Sequence, residues 1–274
     1  MRKVRCLVIG AFLSTPFLFI ACNKNKDASP DTTQQQQASQ DAMQAQSSFD
    51  DAFNMSGNVM QGKPGGRVEN PTECAIVAAN KTTSSISIDF GSTNCTGVDG
   101  KMRKGKIIIA YQGTYLATGS AITITFDNYA VDNNVLNGKF TVGNVIVNAQ
   151  GNLQYTTKVE NGSFTYANNG GTLKMNMERT YELVIDSKAS DFSFLITATG
   201  NVTTIKGEYY DITTLKPLAI KASCVSTGVL YPSSGSLSFK PKNELAFVLD
   251  YGDGTCDKIV SLTVAAFTKQ IDLP

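Results

Sequence analysis

The chemically suggestive pattern in this chain is written twice: "IDFGSTNC" at residues 88–95 and "LDYGDGTC" at residues 249–256. Each runs aliphatic, Asp, aromatic, Gly, three small polar residues, Cys. The second copy gathers Asp250, Asp253 and Asp257 around Gly252 and Gly254, and clustered carboxylate oxygens on a tight turn are what calcium takes. The first copy keeps Asp89 but carries Ser92 and Thr96 where the second has Asp253 and Asp257. A ligand set so incomplete in its twin favours a strand-turn-strand hairpin pinned by its Cys. Calcium at Asp250, Asp253 and Asp257 is kept as the alternative.

Other motifs lack their supporting context. Asp89-Phe90-Gly91 spells a kinase metal-binding tripeptide, but no glycine-rich loop precedes it. "GKMRKGK" at 100–106 has the spacing of a phosphate-binding loop, yet Ile107 stands where Ser or Thr must hold magnesium, and "IIIAY" reads as a strand rather than a helix. Its basic residues Lys101, Arg103, Lys104 and Lys106 read as a solvated hairpin tip, with contact to an acidic partner as the sharper alternative. The chain has no His, which excludes Ser-His-Asp and Cys-His nucleophiles and imidazole-ligated metals. Glu160, Glu178, Glu182, Glu208 and Glu244 could supply a hydrolytic carboxylate pair, but no spacing selects two of them. Trp is absent, leaving Tyr209, Tyr210 and Tyr231 as candidate sugar-stacking residues.

The N-terminus carries Arg2, Lys3 and Arg5, then an apolar run from Cys6 to Ala21 of 16 residues, then Cys22. This is the pattern of a secretory signal, too short for a spanning helix. "LFIAC" resembles the lipobox of bacterial lipoproteins, with Phe19 departing from the usual Leu. That resemblance implies cleavage before Cys22, acylation of its sulfur and anchorage to the outer membrane, at its periplasmic face or on the cell surface. Without the three leader charges, 21 basic and 23 acidic side chains remain, a balance that argues against a nucleic-acid partner.

Four Cys then belong to the body: Cys74, Cys95, Cys224 and Cys256. In an oxidising compartment they allow three pairings. In each copy of the repeat an earlier Cys precedes a strand-like stretch ending in the motif Cys, which predicts Cys74 with Cys95 and Cys224 with Cys256. A four-Cys zinc site is disfavoured by the wide spacings and the lack of any CxxC.

Four segments follow: signal peptide 1–21, lipidated Cys with flexible tether 22–46, short amphipathic helix 47–62, and a β-rich domain 63–274. The tether reading rests on the Gln, Asp, Ser and Ala content of 23–46. The helix reading rests on Phe49, Ala52, Phe53, Val59 and Met60 at helical spacing. Beyond the breaker cluster at 62–71, period-2 runs such as Ile122, Ile124, Phe126 and Leu245, Phe247, Leu249 predict 12 to 14 antiparallel strands with one buried face and no further helix. The expected architecture is all-β: a meander-rich sandwich or a strongly curved sheet, with a partly rolled barrel as runner-up.

"LDYGDGTCD" is similar to the signature stretch of PKD-type sandwich modules, where it is structural. Together with "IDFGSTNCTGVDGKMRKGKIIIAY" and "ITITFDNYAVDNN", it also resembles an uncharacterised family of Bacteroidota-type envelope lipoproteins, from about residue 49 onward. That resemblance implies compartment and a β-rich fold, and assigns no activity or functional residue. The expected role is non-catalytic, structural or binding, with no cofactor; the alternatives are a carbohydrate- or calcium-binding module and a carboxylate-dependent hydrolase.

Overall fold

The computed structural model describes residues 32–62, 74–97, 99–186 and 191–273. Cys22, the signal-like stretch and the breaker cluster from residue 63 lie outside them. One long helix, α1 (Thr33–Gln61), precedes the sheet. The strands are β1 (Ile76–Asn80), β2 (Ser85–Asp89), β3 (Cys95–Thr96), β4 (Met102–Gln112), β5 (Ala121–Val131), β6 (Asn134–Val147) and β7 (Leu153–Thr165). They continue as β8 (Thr172–Asp186), β9 (Asp191–Thr203) and β10 (Tyr209–Lys221), then a five-residue helix α2 (Ala222–Ser226), and β11 (Ser234–Pro241), β12 (Phe247–Asp253), β13 (Ile259–Val264) and β14 (Phe267–Asp272).

All 14 strands form one sheet in sequence order, with only the two-residue β3 lying beside β4 off the path. Every pairing is antiparallel, as short Asn- and Gly-containing turns require. The expected antiparallel all-β class is therefore observed as a single curved sheet, not as two packed layers. Its curvature follows from the helix contacts. Asp51 of α1 reaches Arg103 on β4, while Met43 of α1 accepts a hydrogen bond from Tyr251 on β12. Those strands are eight places apart in the sheet, about 38 Å if flat at about 4.8 Å per strand. A helix is only about 10–12 Å across, so the sheet must wrap around α1.

The period-2 pattern holds at Ile86 and Ile88, Ile107 and Ile109, Ile122 and Ile124, Leu173 and Met175, and Phe247 and Leu249, which all turn inward and are buried, but Leu245 lies before β12 and is exposed. They form one hydrophobic core with α1. The helix is longer than the sequence predicts. Residues 33–46, expected to be tether, are helical because Ala38, Ala42 and Ala45 continue the spacing of Phe49, Ala52, Ser56 and Val59, and all seven are buried. Ala is the strongest helix former and lets the sheet approach the backbone closely. The short α2 was not expected either; it buries Cys224.

Candidate functional site

The two repeated stretches make the same turn. Asp89 Oδ1 accepts the Gly91 N–H at 2.9 Å, and Asp250 Oδ1 accepts the Gly252 N–H at 2.9 Å. Gly91 and Gly252 hold φ of 78° and 86°, the left-handed region open to Gly without strain. Phe90 and Tyr251 between them are buried. Four residues after each Gly the Cys is cross-linked, Cys95 to Cys74 and Cys256 to Cys224, closing separations of 21 and 32 residues. The predicted pairing and the structural reading of the motif are both observed.

The calcium alternative is not supported by this geometry. Asp253 Oδ1 accepts from Thr255 Oγ1 at 3.0 Å, and Asp257 Oδ1 accepts from the Ile259 N–H at 2.9 Å, so each Asp of the trio serves its own turn. Among the described residues, no group of three or more Cys, Asp or Glu side chains lies close enough to share a metal ion.

Within the basic cluster Arg103 departs from the solvated tip that its sequence suggests, while Lys101, Lys104 and Lys106 stay partly exposed. Arg103 is only 2 % exposed, points inward and donates to both Asp51 oxygens and both Asp99 oxygens at 2.6–3.0 Å. Burial opposes its charge, but these two acids raise its pKa; Arg103 in turn brings the Asp99 carboxyl down to about 2. Lys101 pairs with the same Asp51 and Lys106 with Asp89, while Lys104 is half-buried. The physical reason is plain alternation: Arg103 shares the parity of Ile107 and Ile109 and so lies on the inner face, while the irregularity between Lys104 and Lys106 puts its extra residue on β5. Lys101 and Arg103 thus secure α1 through Asp51 and Lys106 pairs with β2, while the Lys101 and Lys106 side chains stay 40 % and 45 % exposed.

The candidate acids fall in separate places: Glu160 and Glu178 both act on Lys158, Glu208 and Glu244 both act on Tyr210, and Glu182 stands with Asn148 and Asn152. Glu160 and Glu178 pair across neighbouring strands with Lys139 and Lys158. Glu182 accepts from Asn152 and Asn148 at 2.7 and 2.8 Å, which lowers its pKa. Nor do the tyrosines make one platform: Tyr210 is in the core, whereas the Tyr209 hydroxyl donates to Asp211 and its ring lies 5.0 Å below the Lys242 ammonium.

The arrangement that does stand open was missed in the sequence. α1 crosses the inner face obliquely, from Tyr166 and Tyr210 at one end of the strands to Tyr115 in the β4–β5 loop at the other. Beyond it, the inner face at the ends of β6 to β9 forms an apolar rim. Tyr155 stacks on Tyr181 with centroids 4.9 Å apart and planes 4° apart, Tyr181 meets Phe194 edge-on at 6.3 Å, and Phe194 meets Phe192 edge-on at 6.2 Å. Register places Val147 opposite Leu153, Leu153 opposite Leu183, and Ile185 opposite Phe192. The outermost members remain exposed: Val147 61 %, Ile185 69 % and Phe192 45 %. At the inner limit Arg179 donates to Asp50 of α1 at 2.8 Å and to the Tyr181 hydroxyl at 2.7 Å. Burial raises the Tyr181 pKa despite Arg179; burial opposes the Arg179 charge, and Tyr181 and Asp50 nevertheless hold its pKa above the ordinary value. The rim therefore has a fixed cationic and phenolic floor and an apolar lip. Its sequence signal is alternation that continues to strand ends, in "YELVI" and "DFSFLI", where tapering to polar residues is the norm for a covered sheet.

Comparison with known protein families, with curated proteins and with solved structures gives no match. The chemistry of the chain therefore has to be argued from its own geometry.

Proposed function

We propose that this protein is a non-catalytic binding lipoprotein of the cell envelope, anchored to the outer membrane through acylated Cys22, that takes an amphiphilic small molecule at the apolar rim. The observation that carries the binding role is the exposure of Val147, Ile185 and Phe192 beside a preformed aromatic stack. Contiguous exposed apolar surface in a globular protein marks an interaction site, and aromatic rings already held in stacked and edge-on geometry need little reordering to accept a ligand. The envelope location is supported by the two body disulfides, which persist in oxidising compartments, and by the lipobox-like residues before Cys22. The resemblance to envelope lipoproteins points the same way.

Two measurements test the reading. Metabolic labelling with palmitate should mark the wild-type protein and disappear in Cys22→Ala; equal labelling of the variant would refute the anchor. For the rim, an apolar fluorescent dye such as anilinonaphthalene sulfonate should bind saturably to the purified protein. Changing Ile185 and Phe192 together to Asp should weaken that binding about tenfold or more, because each apolar side chain contributes about 1.5–3 kcal/mol when fully buried. Both side chains are already solvent-exposed, so the fold should tolerate the change. Unaltered dye affinity in the double variant would remove the rim from consideration.

A further inference from the structure

Two inward-facing arginines tie the sheet to α1, and they differ in one respect. Arg103 holds Asp51, and Arg179 holds the preceding residue, Asp50, at 2.8 Å. Arg103 spans two carboxylates with its terminal nitrogens, those of Asp51 and Asp99. Arg179 meets one. Its hydrogen bonds to Asp50 and to the Tyr181 hydroxyl both leave from Nη1, which uses up the two N–H groups of that nitrogen. The remaining edge of the guanidinium, Nη2 and Nε, makes no hydrogen bond to a described residue, and neither nitrogen is among the buried groups without a partner. The Arg179 side chain is 15 % exposed, so this edge is open, and a parallel pair of N–H groups is the feature that matches a carboxylate.

The surroundings of that edge run directly into the apolar rim. β8 keeps an unbroken register with β9 from Lys174 to Asp186, so Arg179, Tyr181, Leu183 and Ile185 share the face of the buried Leu173 and Met175. Phe194 lies opposite Leu183, and Phe192 opposite Ile185. From Arg179 to Ile185 the strand covers about 20 Å at about 3.3 Å per residue, with the guanidinium at the inner end and exposed apolar side chains at the outer. The acids at the lip, Asp186 and Asp191, fall on the opposite face by the same alternation, and Asp191 accepts from Ser223.

We infer that the amphiphile of the rim is a long-chain carboxylate, its head on the Nη2 and Nε edge of Arg179 and its chain along Tyr181, Leu183, Phe194 and Phe192. This names the ligand class of the apolar rim and rests on that reading. Asp50 and the ligand share Arg179 as Asp51 and Asp99 share Arg103, an arrangement the fold already contains. The fork also sets the discrimination: a hydroxyl head accepts fewer of its N–H groups, and an ammonium head offers no acceptor at all.

Calorimetric titration of the purified full chain with decanoate, 1-decanol and decylammonium compares three heads on one chain. Decanoate should bind about tenfold or more tighter than decanol, the expected size of a charged hydrogen-bonded contact, and decylammonium should bind weakest. Arg179→Gln should bring decanoate down to the decanol affinity and leave decanol unchanged. Asp50→Asn removes the competing carboxylate and should tighten decanoate, a direction that the loss of a purely structural contact would not give. Equal affinity for decanoate and decanol in the wild type, or a preference that survives Arg179→Gln, overturns the assignment of the head and leaves the apolar rim standing. If Arg179→Gln loses decanol as well, Asp50→Asn decides, and decanoate binding that is unchanged or weaker there overturns the assignment. Failure of all three compounds to bind the wild type overturns the rim itself.

Discussion

Replacing Arg103 by Met is expected to destabilise the protein by about 3 kcal/mol, a fall in melting temperature of roughly 10 °C for a domain of this size. Methionine keeps the buried stem packed, so the loss isolates the guanidinium. Removing one partner of a buried ion pair typically costs about 3–5 kcal/mol. The lower figure applies here because Asp51 keeps Lys101 at 2.8 Å and Asp99 is 42 % exposed. The pH dependence has a definite sign. Asp99 is depressed to about 2 from an ordinary 3.8 by its hydrogen bond to Arg103, so its contribution is present above pH 3.8 and lost as pH falls through 2. The wild type should therefore lose stability between about pH 4 and pH 2, and Arg103→Met should show a shallower loss over that window. Chemical denaturation at several pH values measures both, and parallel curves for the two proteins would mean that Asp99 and Arg103 are not coupled.

Phe49→Ala should cost as much or more, about 3–5 kcal/mol for a fully buried aromatic. Phe49 is 1 % exposed, lies edge-on to Phe126 at 5.9 Å and stacks with Phe140 at 6.5 Å. It is the main large anchor between the Ala-rich half of α1 and Phe53. The damage should therefore be felt first in α1: hydrogen exchange of residues 33–61 should accelerate more than that of β6 and β7, which keep their ladders. Equal acceleration throughout would show that helix and sheet open only together.

The strands and disulfides were legible in the sequence because period-2 alternation and a repeated Cys-ended motif are local patterns. The Asp89 and Asp250 turns were legible for the same reason: an Asp accepting the N–H two residues on needs no distant partner. The start of α1 was obscured because its inward positions carry Ala38, Ala42 and Ala45, which a search for large apolar residues passes over in a Gln-rich segment. The spacing was nevertheless continuous with Phe49 and Ala52. Arg103 was in phase with Ile107 and Ile109 and so was legible as inward by alternation alone; what no local pattern showed was the distant Asp51 of α1 that pairs it there. The rim was illegible because nothing local marks where an oblique helix ceases to cover a sheet. Asp41 likewise looked like one more polar residue of a tether until Tyr166, just after β7, closed on it.

The order of the sheet gives α1 a particular place in the folding of the chain. Each main strand pairs with its sequence neighbours, so the meander can grow by short loop closures, the inexpensive kind of search. Among the described elements α1 departs furthest from that locality: Met43 meets Tyr251 across 208 residues. The first element of the described body therefore completes its contacts only when β12, near the last, is in place.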